Sequence, residues 1–375
     1  MNAVAHAAGE GDRKNTPLTR IRRAYTLLVN WHGPELVLMN YRTRTYVSAN
    51  PEAVRILHLL ESWRGPSELF ELLPEYSPES IRRAIKDLQA HSLLVREGTR
   101  EARRDADMAQ AWAHWLPVGS FHFATKDVEF RSPKQDFRVY SGYLAESAQP
   151  TRQKSYPKAR KTHLPREQPA TGEFLRVLTA RRTHREYSRK NISLAALSRL
   201  LYYTWGVMDT MDAPPFGKLF HKTSPSGGAR HPGEVYVLAI RIENLRPGLY
   251  HYDPLHHQLE SLKPVALAGS KAVQYTAGHE FLQDASALFL MTAVFPRTMW
   301  KYRFPRAYRV VLLDAGHLCQ TFCLTATWLG LAPFCTAALH DSLIEKDLGI
   351  DGVRESVIYV AGVGTPPEGK LRRSR

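Results

Sequence analysis

The chain has 375 residues, 43% of them hydrophobic, and 51 lysines and arginines against 36 acidic residues give a formal net charge of +15. Apolar content at that level is ample for a core, and the length exceeds one average domain, so two domains are expected. The charge favours an anionic partner without choosing among nucleic acid, an acidic peptide, a membrane surface and a phosphorylated cofactor. The only three cysteines, Cys319, Cys323 and Cys335, fall in one apolar stretch. An odd, clustered set excludes a disulfide frame and implies reduced core thiols in a cytoplasmic protein.

The opening MNAVAHAAGEGDRKNTP lacks an apolar segment and reads as a polar tail. Short β-rich runs follow at Tyr25 to Val29, Leu36 to Met39 and Thr45 to Val47. Asn50-Pro51 then starts a helix with Val54, Leu57 and Leu60 on one face, a second helix runs from Pro66 to Leu73, and Ser77-Pro78 starts a third carrying Ile81, Ile85 and Leu88. HSLLVREG after it reads as the start of a wing strand. Strands followed by three small helices predict a winged-helix-like domain over 20–98. The third helix sets Arg82, Arg83 and Lys86 against Glu79 and Asp87, which is weakly positive for a DNA-reading helix. A DNA-binding regulator is therefore a rival reading, and nucleic acid is not the expected partner.

From about 99 to 168 the chain is polar. Nine basic residues against two acidic ones lie between Arg131 and Arg166, with Pro133, Pro150, Pro157 and Pro165 interspersed, and 131–166 reads as a basic linker or arm. Its aromatics Phe137, Tyr140, Tyr143 and Tyr156 suit either a solvated arm or a cover over substrate.

The remainder, within a second domain over 109–375, mixes helices and strands without strict alternation, an α+β pattern. Ser193 caps a helix with Leu194, Leu197, Leu200 and Leu201, Glu234 to Ile242 and Ala287 to Val294 read as strands, and a long helix is expected from about Tyr308 to Leu329. Asp314, His317 and Gln320 interrupt that run within the span a bilayer requires, which argues for a buried helix and against a membrane protein. His317, Cys319 and Cys323 point in different directions on such a helix, so core packing is expected there and no metal site. A last strand is expected at Val357 to Val363.

Two familiar nucleotide motifs fail. Gly364 to Lys370 nearly spells a Walker A loop, but Leu371 stands where Ser or Thr must bind magnesium, and Pro367 occupies the third glycine position of a dinucleotide fingerprint. What survives is cationic and distributed. Arg181, Arg182, Thr183 and Arg185 suit a terminal phosphate, with Lys370, Arg372 and Arg373 adding charge. Ser226-Gly227-Gly228 brings backbone N–H groups close to a flat ligand. Lys301 and Tyr302 stand in FPRTMWKYRFPRAYR, where five basic residues from Arg297 to Arg309 have no carboxylate among them. Repulsion and partial burial are expected to tune Lys301 toward proton abstraction, although the same spacing also describes a solvated basic loop before a core helix.

RRTHREYS, SPSGGARHPGEVYVL, PGLYHYDPLHHQLESL and KYRFPRAYRVVLLDAGHLCQ, in that order, resemble the consecutive blocks of SagB-type dehydrogenases, the flavin-dependent azoline oxidases of the nitroreductase superfamily. The resemblance covers about 170 to 370, and WLPVGSFHFATKD near 115–127 resembles the preceding block. It implies an α+β nitroreductase-like domain, a central mostly antiparallel sheet flanked by helices, working as a homodimer. It further implies that Arg181, Thr183 and Arg185 hold FMN, with Arg182 beside them and Lys370 and Arg372 completing the phosphate site. Ser226, Gly227 and Gly228 would approach the isoalloxazine from the other subunit, Ala337 stands in the flavin-facing loop where the family usually has glycine, and Lys301 and Tyr302 match the proton-abstracting pair. The strands and helices of the first domain resemble leader-peptide recognition modules, which add a peptide as an edge strand. The implied function is azoline to azole oxidation in a ribosomally made precursor peptide, with a ring-forming cyclodehydratase as a partner. The rival within enzymes is a nicotinamide-fed reductase of dehydroamino acids or nitro compounds.

Overall fold

In the computed structural model, which describes residues 20–146, 172–214 and 217–368, the chain divides into two compact units, Met1–Ala124 and Thr125–Arg375. The first contains β1 (Ile21–Arg23), β2 (Leu27–His32), β3 (Glu35–Asn40) and β4 (Thr45–Ala49), then helices α1 (Pro51–Leu59), α2 (Pro66–Leu72) and α3 (Pro78–Ala90). Strands β2, β3 and β4 form an antiparallel meander with β4 at one edge. The first turn places Gly33 at φ +60°, and the second is an Asx turn in which Asn40 Oδ1 accepts from Arg42 N and Thr43 N. All three helices begin on a cap followed by proline. Asn50 accepts from Ala53 N, Glu68 accepts from Gly65 N, and Ser77 accepts from Ser80 N. Their inward faces, Ile56, Leu57, Leu69, Ile81, Ile85 and Leu88, close on Ile21, Leu38 and Leu94.

Beyond α3 the structure departs from the sequence-based expectation. β5 (Leu94–Arg96) pairs antiparallel with β1 instead of opening a wing hairpin. The chain then continues as α4 (Arg100–Ala111) and α5 (Leu116–Ala124), where a polar linker was expected. Charge hides the helical signal in α4: Ala102, Asp105 and Met108 form its buried stripe, and Asp105 is wholly inside. Asp105 receives Arg22 Nη1 at 2.9 Å, Tyr25 N at 2.9 Å and Thr26 Oγ1 at 2.8 Å, so a buried ion pair ties α4 to the strand region. The first unit therefore runs to Ala124, past the expected boundary near 98.

The second unit begins with Lys126 buried against Glu345 and Asp127 bonded to Ser342, so the block WLPVGSFHFATKD straddles the two units. α6 (Pro133–Glu146) replaces the expected irregular arm over those residues. Pro133 sits at the helix start, where its missing N–H costs nothing, and Ser132 and Gln135 exchange capping bonds. The rest of the basic arm, 147–166, lies outside the described residues. Next come α7 (Glu173–Ala180), α8 (Leu194–Trp205), a hairpin of β6 (Asp209–Asp212) and β7 (Lys218–His221), then β8 (Gly233–Ala239), β9 (Gly248–Asp253) and β10 (Gln258–Pro264). They are followed by α9 (Ala268–Tyr275), β11 (Ala287–Val294), α10 (Phe295–Lys301), α11 (Tyr308–Trp328), β12 (Ala332–Thr336), α12 (Asp341–Leu348) and β13 (Glu355–Gly364).

Six of these strands form one sheet in the order β10-β9-β8-β11-β13-β12, antiparallel at every pair. β11 is covered on both faces, which its unbroken apolar sequence requires. Phe289 and Met291 pack with α8 and α11 through Leu197, Trp205 and Phe322, while Leu288 and Leu290 pack with α9 and α12 through Tyr275 and Ile344. α11 has the length and hydropathy of a membrane span. Its inner face nevertheless lies on the sheet, and Asp314 on that face has protein hydrogen-bond partners.

Asp105→Ala would leave Arg22 charged and buried without its carboxylate. A loss of about 3–5 kcal/mol is expected in the unfolding of the first unit, checked by urea denaturation followed through the fluorescence of buried Trp112 and Trp115.

Candidate active site

The loop before β8 is held from below by Asp314. This carboxylate, on the buried face of α11, accepts from Ser226 Oγ at 2.6 Å and from Gly227 N at 3.4 Å, and Ser226 Oγ in turn accepts from His231 N at 2.9 Å. Burial raises the Asp314 carboxyl above its ordinary range, partly offset by those two donors. Gly227 packs against Val310, and Gly228 has φ +64°. A Cβ at Gly228 would fall 2.5 Å from Tyr302 Oη and 2.8 Å from Lys301 Nζ. The tips of the predicted catalytic pair thus lean over a backbone that only glycine can present so closely.

Lys301 ends α10 and Tyr302 caps it, with Lys301 Nζ 5.5 Å from the Tyr302 ring and Phe304 edge-on to that ring at 5.9 Å. The expected partial burial of Lys301 is not found: its side chain is exposed. Phe295, Thr298 and Met299 take the inward face of α10, and position 301 falls off that stripe. Nor is the surrounding positive charge left without a carboxylate. Glu234, from the neighbouring strand, binds Arg297 at 2.5 Å.

The arginine cluster lies elsewhere. Arg181 caps α7, and Arg182 turns back to Thr179 O and Arg181 O, which assigns its guanidinium to the helix end. Thr183 and Arg185 are exposed, with Arg185 5.7 Å over the Phe334 ring. His184 N donates to Pro333 O, fixing the segment along β12. His184 and His279 are both held below the usual imidazole range, first by burial and then by Arg181 and Arg185 respectively. Exposed Ala337 follows β12 in a loop where Thr336 Oγ1 receives Ala338 N. Lys370 and Arg372 lie outside the described residues.

Within one chain the two groups attach to different stretches of α11. Arg181 ends α7, whose first residue Glu173 accepts from Trp328 at the far end of α11, whereas the glycine turn hangs from Asp314 nearer its start. His317 takes a third direction, with its ring 3.3 Å from Pro225 O.

Sequence reasoning missed Asp314 as an anchor and missed the polar row beside it. Lys222 lines a small cavity with Ser226, His231 and Asp314, and burial pushes its ammonium down to about 8 despite Glu234. His251 lies between Glu234 (3.1 Å) and Glu260 (2.8 Å). The bond to Glu234, reinforced by Glu260, raises its imidazole to about 9. Burial works to raise the Glu234 carboxyl, but the bonds from His251 and Arg297 outweigh it and hold the group below its ordinary value. Period-2 alternation across β8, β9 and β10 was the available signal, because Glu234, His251 and Glu260 lie on neighbouring strands.

Residues 178–365 match the Nitroreductase family, and the chain belongs to that family of oxidoreductases. It is 30% identical over 312 residues to the trifolitoxin-processing protein TfxB of Rhizobium leguminosarum bv. trifolii, covering 79% of this chain and 82% of that one. It is also 28% identical over 170 residues to the microcin B17-processing protein McbC of Escherichia coli, covering 44% of this chain and 58% of the relative. Among solved structures, a chain of the E. coli microcin synthetase McbBCD complex with truncated pro-MccB17 bound aligns over 70% of this chain and 97% of its own, at 20% identity and a TM-score of 0.48.

The His251 pair sets a pH dependence. Because the folded value is raised, its stabilisation is complete below the ordinary 6.5 and is lost as pH rises through about 9. The interval corresponds to at most about 3 kcal/mol. Wild-type denaturation midpoints are expected to fall between those pH values, and His251→Gln is expected to flatten that slope.

Proposed function

We propose that this chain is an FMN-dependent oxidase that matures a ribosomally made peptide, converting azoline rings to azoles. The observation that carries the reading is the convergence of Lys301 Nζ and Tyr302 Oη on the Gly228 backbone. Relatives that process trifolitoxin and microcin B17 support a peptide as substrate. Flavin is the cofactor typical of the family, and the chain offers groups of the kind FMN requires: a guanidinium cluster suits a phosphate, and the Lys301 and Tyr302 tips stand together over the glycine turn.

Arg181, Thr183 and Arg185 would hold the phosphate and ribityl groups, with Lys370 and Arg372 from beyond the described residues, while Ser226, Gly227, Gly228 and Ala337 would face the ring. Bound FMN supplies a hydride acceptor. The chain itself acts on the proton: Lys301 Nζ takes it from the substrate carbon adjacent to the site of hydride loss, and Tyr302 Oη orients the ring being oxidised. A second copy of the chain is part of this reading. The two halves of the site are separated along α11, and Phe174 and Leu178 of α7 and Leu312 and Leu313 of α11 are exposed apolar side chains that such a copy would cover. The three free thiols suit the cytoplasm.

The first unit supplies a peptide-binding groove in this reading. A cavity of about 550 Å³ lies between edge strand β4 and α3, lined by Val47, Ala49, Ile56, Ile81, Ala84 and Leu88. An extended precursor segment would pair with β4 and place alternate side chains in that cavity, and a ring-forming partner enzyme would supply the azoline. Ala84→Arg would fill the cavity and is expected to weaken precursor binding at least about tenfold in fluorescence anisotropy, with the oxidation of a leaderless azoline retained.

Purified protein reconstituted with FMN and mixed with an azoline peptide is expected to give a product lighter by two hydrogens. Lys301→Ala should retain FMN and lose about a hundredfold or more in rate, while Arg185→Ala should release FMN and recover partly with excess cofactor. Wild-type turnover in Lys301→Ala removes that residue from the mechanism. Bleaching of the flavin by NADPH without peptide, together with no mass loss from azolines, replaces the oxidase with a reductase.

A further inference from the structure

The three cysteines of this 375-residue chain meet at one point: the sulfurs of Cys319, Cys323 and Cys335 all lie within 4.8 Å of one another. Cys319 and Cys323 stand one turn apart on the sheet-facing side of α11, both buried, and Cys335 comes from β12. The connection brings them together. Gly330 adopts φ +71°, Leu331 N returns to Ala326 O at 2.8 Å, and the chain reverses so that β12 runs back past the helix.

Core packing asks only for volume and low polarity, which Ala, Val or Leu would satisfy at each position separately. It does not require all three cysteines of the chain to share one site. Metal coordination does. With Zn–S bonds near 2.3 Å, three sulfurs around one centre stand about 4.0 Å apart, within the observed span. An all-sulfur set is soft and selects thiophilic ions over magnesium or calcium. The negative charge that coordinated sulfur carries is suited by the positive charge of Arg181, which favours the charged form of both Cys323 and Cys335. The sequence reading expects core packing and no metal site for His317, Cys319 and Cys323; His317 does point away, to Pro225 O, and it is Cys335, sixteen residues beyond Cys319, that joins the two helical cysteines.

We propose that Cys319, Cys323 and Cys335 form a three-sulfur site for one thiophilic d10 metal ion, copper(I) or zinc(II), which clamps α11 to β12 beside Arg181. Binding displaces thiol protons to solvent and involves no change of oxidation state. The three ligands are not among the residues assigned to proton transfer, and metal binding is read without flavin or substrate.

The full-length protein, reduced and handled without oxygen, is titrated separately with copper(I) and zinc(II) against a competing chromophoric chelator, and native mass spectrometry counts ions per chain. One ion per chain is expected, with a raised melting temperature. Cys319→Ala, Cys323→Ala and Cys335→Ala should each weaken binding about a hundredfold or more. Circular dichroism establishes that each variant folds, and Cys319→Ser, Cys323→Ser or Cys335→Ser replaces the alanine variant at the same position where it does not. Uptake of one ion and not the other identifies the metal. Three titratable thiols with no uptake of either ion, or uptake unchanged by Cys335→Ala or Cys335→Ser, overturns the proposal and returns the cluster to core packing.

Discussion

Asp314 is the constraint on which the site depends. A carboxylate on the inner face of a sheet-packed helix is costly unless its oxygens are occupied, and here they are occupied by Ser226 Oγ and Gly227 N. The interaction therefore fixes the loop as firmly as it satisfies the helix. With Ser226 held at both its hydroxyl and its carbonyl, which receives Ala229 N at 3.0 Å, the intervening glycines have one path, and Gly228 takes its left-handed conformation beneath Lys301 and Tyr302. α11 is thus the common support of the whole second unit. Val310 near its start packs against Gly227, Asp314 anchors the glycine turn, Cys319 and Cys323 lie just past its midpoint, and Trp328 at its end bonds Glu173 of α7.

Much of the fold was legible because its signals were local. β11 runs from Ala287 to Val294 as expected, and a cap followed by proline marked α1 and α3. These depend on side-chain chemistry within four residues of the element's start. α4, α5 and α6 were lost for the opposite reason. Charges crowd the helical period of α4 and α6, α5 (LPVGSFHFA) has almost no amphipathic period to read, and in α4 the inward position 105 is aspartate, which sequence reasoning assigns to solvent. Distant donors, Arg22 with Tyr25 N and Thr26 Oγ1, make that position tenable. β12 was missed too, since five residues containing a proline give little pattern, and its place at the sheet edge is decided by pairing with β13.

The candidate site divides along the same line. The identities of Lys301, Tyr302, Gly228 and Arg185 were available from blocks of sequence, and Lys301, Tyr302 and Gly228 do come together. What was not available is the set of long-range partners that fix them: Asp314 for the turn, Glu234 for Arg297, Phe334 for Arg185. Each lies at least 60 residues away and on a different element, so no spacing rule reaches it. Cys335 is of the same kind. Its two helical partners share a face by period, yet the third sulfur arrives only through the tertiary return of the chain at Gly330.

Net charge also acquires a location. The buried or half-buried cations are used inside the fold: Arg22 on Asp105, Lys126 on Glu345, Lys271 on Asp347 and Arg297 on Glu234. These pairs satisfy interior carboxylates and contribute nothing to attraction of a ligand. The positive excess that can act on an incoming anion therefore resides in exposed groups such as Arg185 and Lys301, which stand at the two halves of the site. A chain of net charge +15 need not present a continuous basic face. Here the fold sorts its cations by depth: those inside hold the frame rigid, and those left at the surface, Arg185 and Lys301 among them, are the ones an incoming anion meets first.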